Sequence, residues 1–286
     1  MYEISFIIVN YNTTELTINA IESINKFCVN STFEIVVVDN SEFISDILKN
    51  YKNIKYIKTP KNLGFGVANN LGFEHCAGEY IFLLNSDAYF IDDKSIEIMK
   101  EYLNKNMDVA CVGGNLLYPN GIKNISYGNF LNYKRMLYNF GLFKCSEKYF
   151  KDKLATAKIV DFDEPCQVEH LTGAAIMLKS KIIKEIGLFN PKYFMYLEDM
   201  DLGFKLMKNG YKSVLIPQAE IVHLGGQSGT HKSSFIPLWI TNEIRRSKYL
   251  FLENNTHFLI ILFLKTYEPI FELKKKIFKK VKWQRK

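Results

Sequence analysis

Along the first hundred residues, short β-branched and apolar runs alternate with segments whose apolar positions recur every three or four residues. ISFIIVN, EIVVVD, IKYI and YIFLL read as strands, and Asn12 to Cys28 and Val67 to Cys76 as helices between them. That alternation predicts an α/β fold, a mostly parallel sheet flanked by helices. IVVV and IFLL are apolar throughout, as in strands buried on both faces. The first helix carries a start signal: Asn12 is a good N-cap, Glu15 follows three residues on, and Leu16, Ala20, Ile21, Ile24 and Phe27 share a face.

From Val109 to Val168 the pattern weakens. VACVGG predicts a strand, and the Gly- and Asn-punctuated stretch from Tyr118 to Phe140 predicts loops or a small excursion toward an acceptor or a membrane. AAIML, a turn at Ile182–Ile186, a helix from Asp199 to Asn209 stopped by Gly210, and the runs SVLI and EIVH restore it. After Pro237 the chain reads as helical. FLIILFL falls far short of the ~20 residues a membrane-spanning helix needs, so burial against the domain is expected there. Beyond it Ile270, Leu273, Ile277 and Val281 recur at helical spacing, flanked by Phe271 and Phe278 with lysines elsewhere, which describes an interfacial amphipathic helix. A solvated terminus is the alternative. The expected organisation is a sheet domain over 1–235, with a nucleotide-binding half (1–110) and an acceptor and catalytic half (111–235), followed by a helical extension over 236–286.

At 286 residues and 48% hydrophobic content, the chain buries a sizeable core. Its net charge of +7 is local: nine Lys/Arg and two acids between Lys265 and Lys286 account for all of it. A neutral body excludes the basic groove that nucleic-acid binding wants. The basic tail instead suits anionic lipid, at about 1 kcal/mol per Lys or Arg near the surface, and points to the inner face of the cell membrane. Glu3 before ISFIIV is no secretory leader pattern, so a cytoplasmic location is expected. Five scattered cysteines without a CxxC pair read as reduced thiols, neither a disulfide framework nor a zinc site.

Four segments place polar residues directly after apolar strands, where open α/β sheets hold ligands. IIVNYN offers Asn10, Tyr11 and Asn12. VVVDNSE ends its strand on Asp39, a carboxylate able to accept from the imide hydrogen of uracil or thymine, although an Asp there is more often a turn former. KNLGFGVANNLG brings Asn62, Gly64 and Asn70. Its GxG lacks the third glycine of a dinucleotide fingerprint, where Asn69 stands, but small residues at a helix start admit a ribose and diphosphate. LLNSD ends on Asp87, and a lone carboxylate with substrate phosphate can anchor Mg²⁺ or Mn²⁺. Further on, Glu198 and Asp199 open a helix, where the dipole favours an ionised base and where acids also serve as ordinary caps.

Taken in order, IIVNYN, VVVDNSE, NLGFGVANN, LLNSD, TGAAIMLK, YLEDMDL and IVHLGGQS resemble family 2 glycosyltransferases over about Ile4 to Ser228, and especially the rhamnosyltransferase-like branch that builds bacterial surface polysaccharides. The resemblance implies a GT-A fold, an inverting mechanism, a nucleotide-diphosphate sugar donor and a glycan or lipid-linked acceptor. Asn85, Ser86 and Asp87 stand where the family places its DxD-type motif, often NPD in this branch. Asn85 and Ser86 depart from it, so metal binding rests on Asp87, with His223 as the matching second ligand. By the same likeness Asp199 is the base and Glu198 its alternative, with Gly173 and Asp201 on the acceptor side. Two rival readings are a sugar-phosphate nucleotidyltransferase, which wants a Gly-rich basic loop where this chain has NYNTTE, and a non-catalytic sugar-binding protein.

Overall fold

The computed structural model describes residues 2–140, 155–225 and 237–283, with side chains through Lys274. The strands are β1 (Ile4–Asn10), β2 (Phe33–Asp39), β3 (Lys55–Lys58), β4 (Tyr80–Leu84), β5 (Ala88–Phe90), β6 (Val109–Leu117), β7 (Tyr127–Gly128), β8 (Cys166–Val168), β9 (His170–Leu171), β10 (Ala175–Lys179) and β11 (Lys212–His223). The helices are α1 (Thr14–Phe27), α2 (Asp46–Lys49), α3 (Phe65–Glu74), α4 (Lys94–Lys105), α5 (Tyr133–Asn139), α6 (Ser180–Ile186), α7 (Glu198–Lys208), α8 (Leu238–Glu253) and α9 (Phe258–Trp283).

Nine strands form one sheet in the order β3-β2-β1-β4-β10-β6-β11-β5, with β8 also paired to β11. The β3-β2-β1-β4 run is parallel, as the alternating pattern predicts. β10 then enters antiparallel between β4 and β6, and β6 pairs parallel with β11. The C-terminal ends of β1, β2, β4 and β6 therefore share one edge with the N-terminal end of β10. The expected division at residue 110 falls inside β6.

The pleat sends alternate residues to two cores. Phe6, Ile8, Phe82 and Leu84 face α1 and α4 through Ile21, Ile24, Met99 and Leu103. Ile7, Ile81, Leu83 and Ile176 face α3, α6 and α7 through Phe65, Ile183, Leu202 and Leu206. A third cluster joins α5, α8 and α9 to the residues around α7.

Three local expectations are corrected. Asn12 does not cap α1: it has φ 57°, Thr13 occupies the N-cap, and the Asn10 side-chain oxygen accepts from the Thr13 amide at 3.2 Å. SVLI and EIVH are one strand, β11, whose pairing with β6 shifts between Ile216 and Glu220 around Pro217. In FLIILFL only Ile261 and Leu264 are buried, while Phe258, Leu259, Leu262 and Phe263 are 47–67% exposed. Gly210, with φ 81°, ends α7 as expected. The side chains of Ile277, Phe278 and Val281, the last residues of IVHLGGQS from Gly226 on, and Cys145 lie outside the described residues.

Candidate active site

Asp87 and His223 meet because β5 pairs antiparallel with β11, setting His223 opposite Ala88. The Leu224 amide donates to the Asp87 carbonyl at 3.0 Å and fixes the crossing. Asp87 Oδ1 lies 3.3 Å from His223 Nε2, with the carboxylate 2% and the imidazole 14% exposed. Two ligands on neighbouring corners of an octahedral Mg²⁺ site, each about 2.1 Å from the ion, stand about 3.0 Å apart. The oxygen and nitrogen thus fit a shared divalent ion whose other positions phosphates and water would fill. No set of three His, Cys, Asp or Glu is placed to hold an ion among the described residues.

The loops after β1 and β2 form a closed polar network. Asn10, fully buried, accepts on Oδ1 from the Thr13 amide and the Thr13 and Thr17 hydroxyls, and donates to Asp39 at 2.8 Å and Ser41 at 3.1 Å. Both Asp39 oxygens are doubly occupied: Oδ1 by Asn10 and the Ser41 amide, Oδ2 by the Tyr56 hydroxyl at 2.6 Å and the Ser45 amide. Burial opposes ionisation of Asp39, yet these donors outweigh it and hold its carboxyl below the ordinary range. A carboxylate offers about four acceptor sites, so an imide hydrogen reaching Asp39 must displace one of these donors. Tyr11 is half-buried and Asn12 exposed beside the network. Thr13 carries it to Ser86, whose hydroxyl is 2.9 Å away. Thr13, Ser41 and Tyr56 were not singled out by sequence; polar residues at the ends of IIVN, VVVD and IKYI are the available signal.

The Gly-rich segment is bound to the loop that precedes α7. A Cβ on Gly64, at φ 83°, would sit 2.1 Å from the Phe194 carbonyl oxygen, so only glycine fits. Asn62 Oδ1 accepts from the Gly64 amide and from Asn40, both at 2.9 Å. The Asn70 amide exchanges two hydrogen bonds with the Phe189 backbone, at 2.8 and 2.9 Å. Asn70 thus fastens α3 to the loop between α6 and α7, with its side-chain amide committed there.

Tyr196 and Leu197 both hold positive φ, 71° and 65°, immediately before α7. Such backbone is strained for residues with a Cβ and persists where its surroundings over-determine it. Here the Phe65 amide holds the Phe194 carbonyl at 2.9 Å, the Ser247 hydroxyl holds the Met195 carbonyl at 3.1 Å, and the Asp201 amide holds the Leu197 carbonyl at 2.9 Å. Asp199 then projects from the first turn of α7, its oxygens accepting from the Gly173 amide at 3.1 Å and the Met200 amide at 2.8 Å. A Cβ on Gly173 would lie 3.3 Å from that of Asp199, so the strand entrance lies directly beneath the acid. Its neighbour Glu198 is buried, and burial followed by the charge of Asp199 pushes its carboxyl up to about 8. Asp201 accepts from the buried Tyr193 hydroxyl at 3.1 Å, and burial raises its carboxyl.

The two halves join at Gly173–Ala174. Ala174 accepts from the Asn85 amide at 2.8 Å while Gly173 donates to Asp199, so the NSD segment and the acid sit on either side of one dipeptide. The NSD carboxylate and the acid at the start of α7 are thus tied to the same short segment of backbone.

Residues 5–185 match the family model for glycosyl transferase family 2. The chain is 25% identical over 213 residues to an N-acetylglucosaminyl-diphospho-decaprenol L-rhamnosyltransferase of Mycobacterium tuberculosis, covering 66% of this chain and 68% of that one. It is 29% identical over 224 residues to an uncharacterized glycosyltransferase of Methanocaldococcus jannaschii, covering 75% and 68%. Among solved structures, GalNAc-T7 with UDP, GalNAc and Mn²⁺ superposes with a TM-score of 0.57 at 14% identity, over 78% of this chain and 44% of that one. S. aureus TarS 1–349 superposes with a TM-score of 0.54 at 14% identity, over 89% and 67%. The chain spans less than half of the GalNAc-T7 chain it matches. These likenesses show a GT-A fold, and with a match over most of its length the chain belongs to the family 2 glycosyltransferases.

Proposed function

We propose that the chain is an inverting, metal-dependent glycosyltransferase. It moves a hexosyl or rhamnosyl unit from a UDP- or dTDP-sugar to a hydroxyl of a glycan or lipid-linked acceptor, in the synthesis of a bacterial surface polysaccharide. The observation that carries this reading is the Gly173–Ala174 dipeptide, bonded on one side to Asn85 of the NSD segment and on the other to Asp199.

Tyr11, Asn12, Asn62 and Gly64 line the donor side, with Asn10 and Asp39 fixing the loops that receive the base. Asp87 and His223 would hold Mn²⁺ or Mg²⁺, which when bound offsets charge on the departing diphosphate. Asp199 takes the proton of the acceptor hydroxyl, whose oxygen attacks the anomeric carbon opposite the leaving group, so configuration inverts. Glu198 keeps its own proton and leaves the base role to Asp199. The basic tail and the outward apolar face of α9 hold the protein at the inner surface of the membrane, where a lipid-linked acceptor would lie. No described helix is long and apolar enough to cross a membrane.

Hydrolysis and transfer from a panel of UDP- and dTDP-sugars, with and without Mn²⁺, test this. Asp87→Ala should lower turnover about 10²- to 10³-fold with a far smaller change in donor affinity, and Asp199→Asn about 10²- to 10⁴-fold. Near-normal turnover by either variant sinks its assignment.

A further inference from the structure

Two buried asparagine oxygens at the C-terminal edge of the sheet accept no hydrogen bond: Asn85 Oδ1 and Asn115 Oδ1. Asn115 is 4% exposed and none of the motifs singled out by sequence contains it. Its direction follows from the pleat. Along β6, Val112 and Leu116 belong to the α1 and α4 side, Cys111 to the α3 and α7 side, and Leu171 covers Gly113. Leu171 belongs to that second side too, so alternation places Asn115 there.

Asn85 directly follows β4, and its amide extends the ladder to Ala174. β10 separates the two strands, and Asn115 stands two residues past the Gly113–Ile176 pair, toward Ala174. α7 covers this side, its Leu202 and Leu206 packing into the core. Asn85 and Asn115 therefore flank the Gly173–Ala174 dipeptide from the strands on either side of β10, with Asp199 bonded to the same dipeptide.

A buried acceptor without a donor destabilises a fold. Two on either side of the dipeptide that holds Asp199 call for a ligand bearing hydroxyl donors, and an asparagine amide can both accept from and donate to such groups. We infer that Asn115 is a specificity-determining residue that hydrogen-bonds a hydroxyl of the transferred sugar, beside Asn85. This rests on the glycosyltransferase reading, which supplies the sugar.

The test uses the full chain with UDP-glucose, UDP-N-acetylglucosamine and dTDP-rhamnose, then the monodeoxy analogues of whichever the wild type turns over fastest. One analogue should cost the wild type about tenfold in kcat/KM and cost Asn115→Ala almost nothing, while affinity for UDP and dTDP stays within about twofold. The thermal midpoint should stay level or rise, because an unpaired amide is removed. Asn115→Ser carries the same comparison should the alanine variant misfold. Equal deoxy penalties in wild type and variant overturn the inference, as does an equal loss of UDP or dTDP affinity, which marks a structural role. A wild type that turns over none of the three donors instead defeats the functional reading, and this inference with it.

Discussion

Glu198 and Asp199 are adjacent acids in different surroundings. Asp199 receives two amide hydrogens, whereas Glu198 is buried beneath it with one oxygen unpartnered. The sequence names the pair and, through the family likeness, assigns Asp199 as base with Glu198 its alternative, but their different surroundings depend on which side of α7 each residue occupies. The raised carboxyl of Glu198 has a consequence for stability. Between its ordinary value of 4.5 and about 8, the unfolded chain has lost this proton and the native chain has kept it. Native stability therefore falls as pH rises through that window, by at most about 1.4 kcal/mol per pH unit from this group, and changes no further above it. Glu198→Gln removes that slope. Thermal midpoints from pH 5 to 8.5 should converge at the acid end and separate in favour of the variant toward pH 8, and parallel curves would show that Glu198 titrates normally.

Among the elements, α9 shows how one periodicity hides two environments. Ile261 and Leu264 pack inward, while Phe258, Leu259, Leu262, Phe263, Ile270 and Leu273 stand 47–67% exposed on the opposite face. Apolar residues on both faces make FLIILFL read as buried, and only the position of the helix on the protein's flank reveals the outward stripe. The membrane reading uses that stripe together with the lysines that follow it. Leu259→Glu with Phe263→Glu should leave the thermal midpoint nearly unchanged, since both side chains face out, and should cut cosedimentation with phosphatidylglycerol vesicles about tenfold or more. Undiminished sedimentation would exclude this face, and a dimer that the same changes dissociate would identify a second copy as its occupant. Strands were more legible than helix faces: the runs ending in Asn10, Asp39 and Asp87 are uniformly apolar and then abruptly polar. β11 reads as two runs because Pro217 interrupts it, and the Asn10–Asp39 network is invisible in the sequence because its partners are separated by 29 residues.

At the scale of the whole molecule, the helical extension expected after residue 235 packs against the segment around the start of α7. Tyr193 and Met200, on either side of the strained loop before α7, share a buried cluster with Phe251 and Leu252 of α8 and Ile261 and Leu264 of α9. Phe251 meets Phe204 of α7 edge-on at 5.6 Å, and Ser247 and Arg246 hold the backbone at Met195 and Lys192. The extension thus helps over-determine the backbone that aims Glu198 and Asp199. Phe251→Ala, at a side chain 1% exposed, removes packing worth about 3–5 kcal/mol and should lower the midpoint of a single unfolding transition by roughly 6–15 °C. At temperatures where the variant is folded, kcat should fall more than donor KM rises, because the acid loses its aim while the loops around Asn10 and Asp39 are untouched. Were the extension a separate unit, Phe251→Ala would instead split the transition in two and leave kcat at its wild-type value.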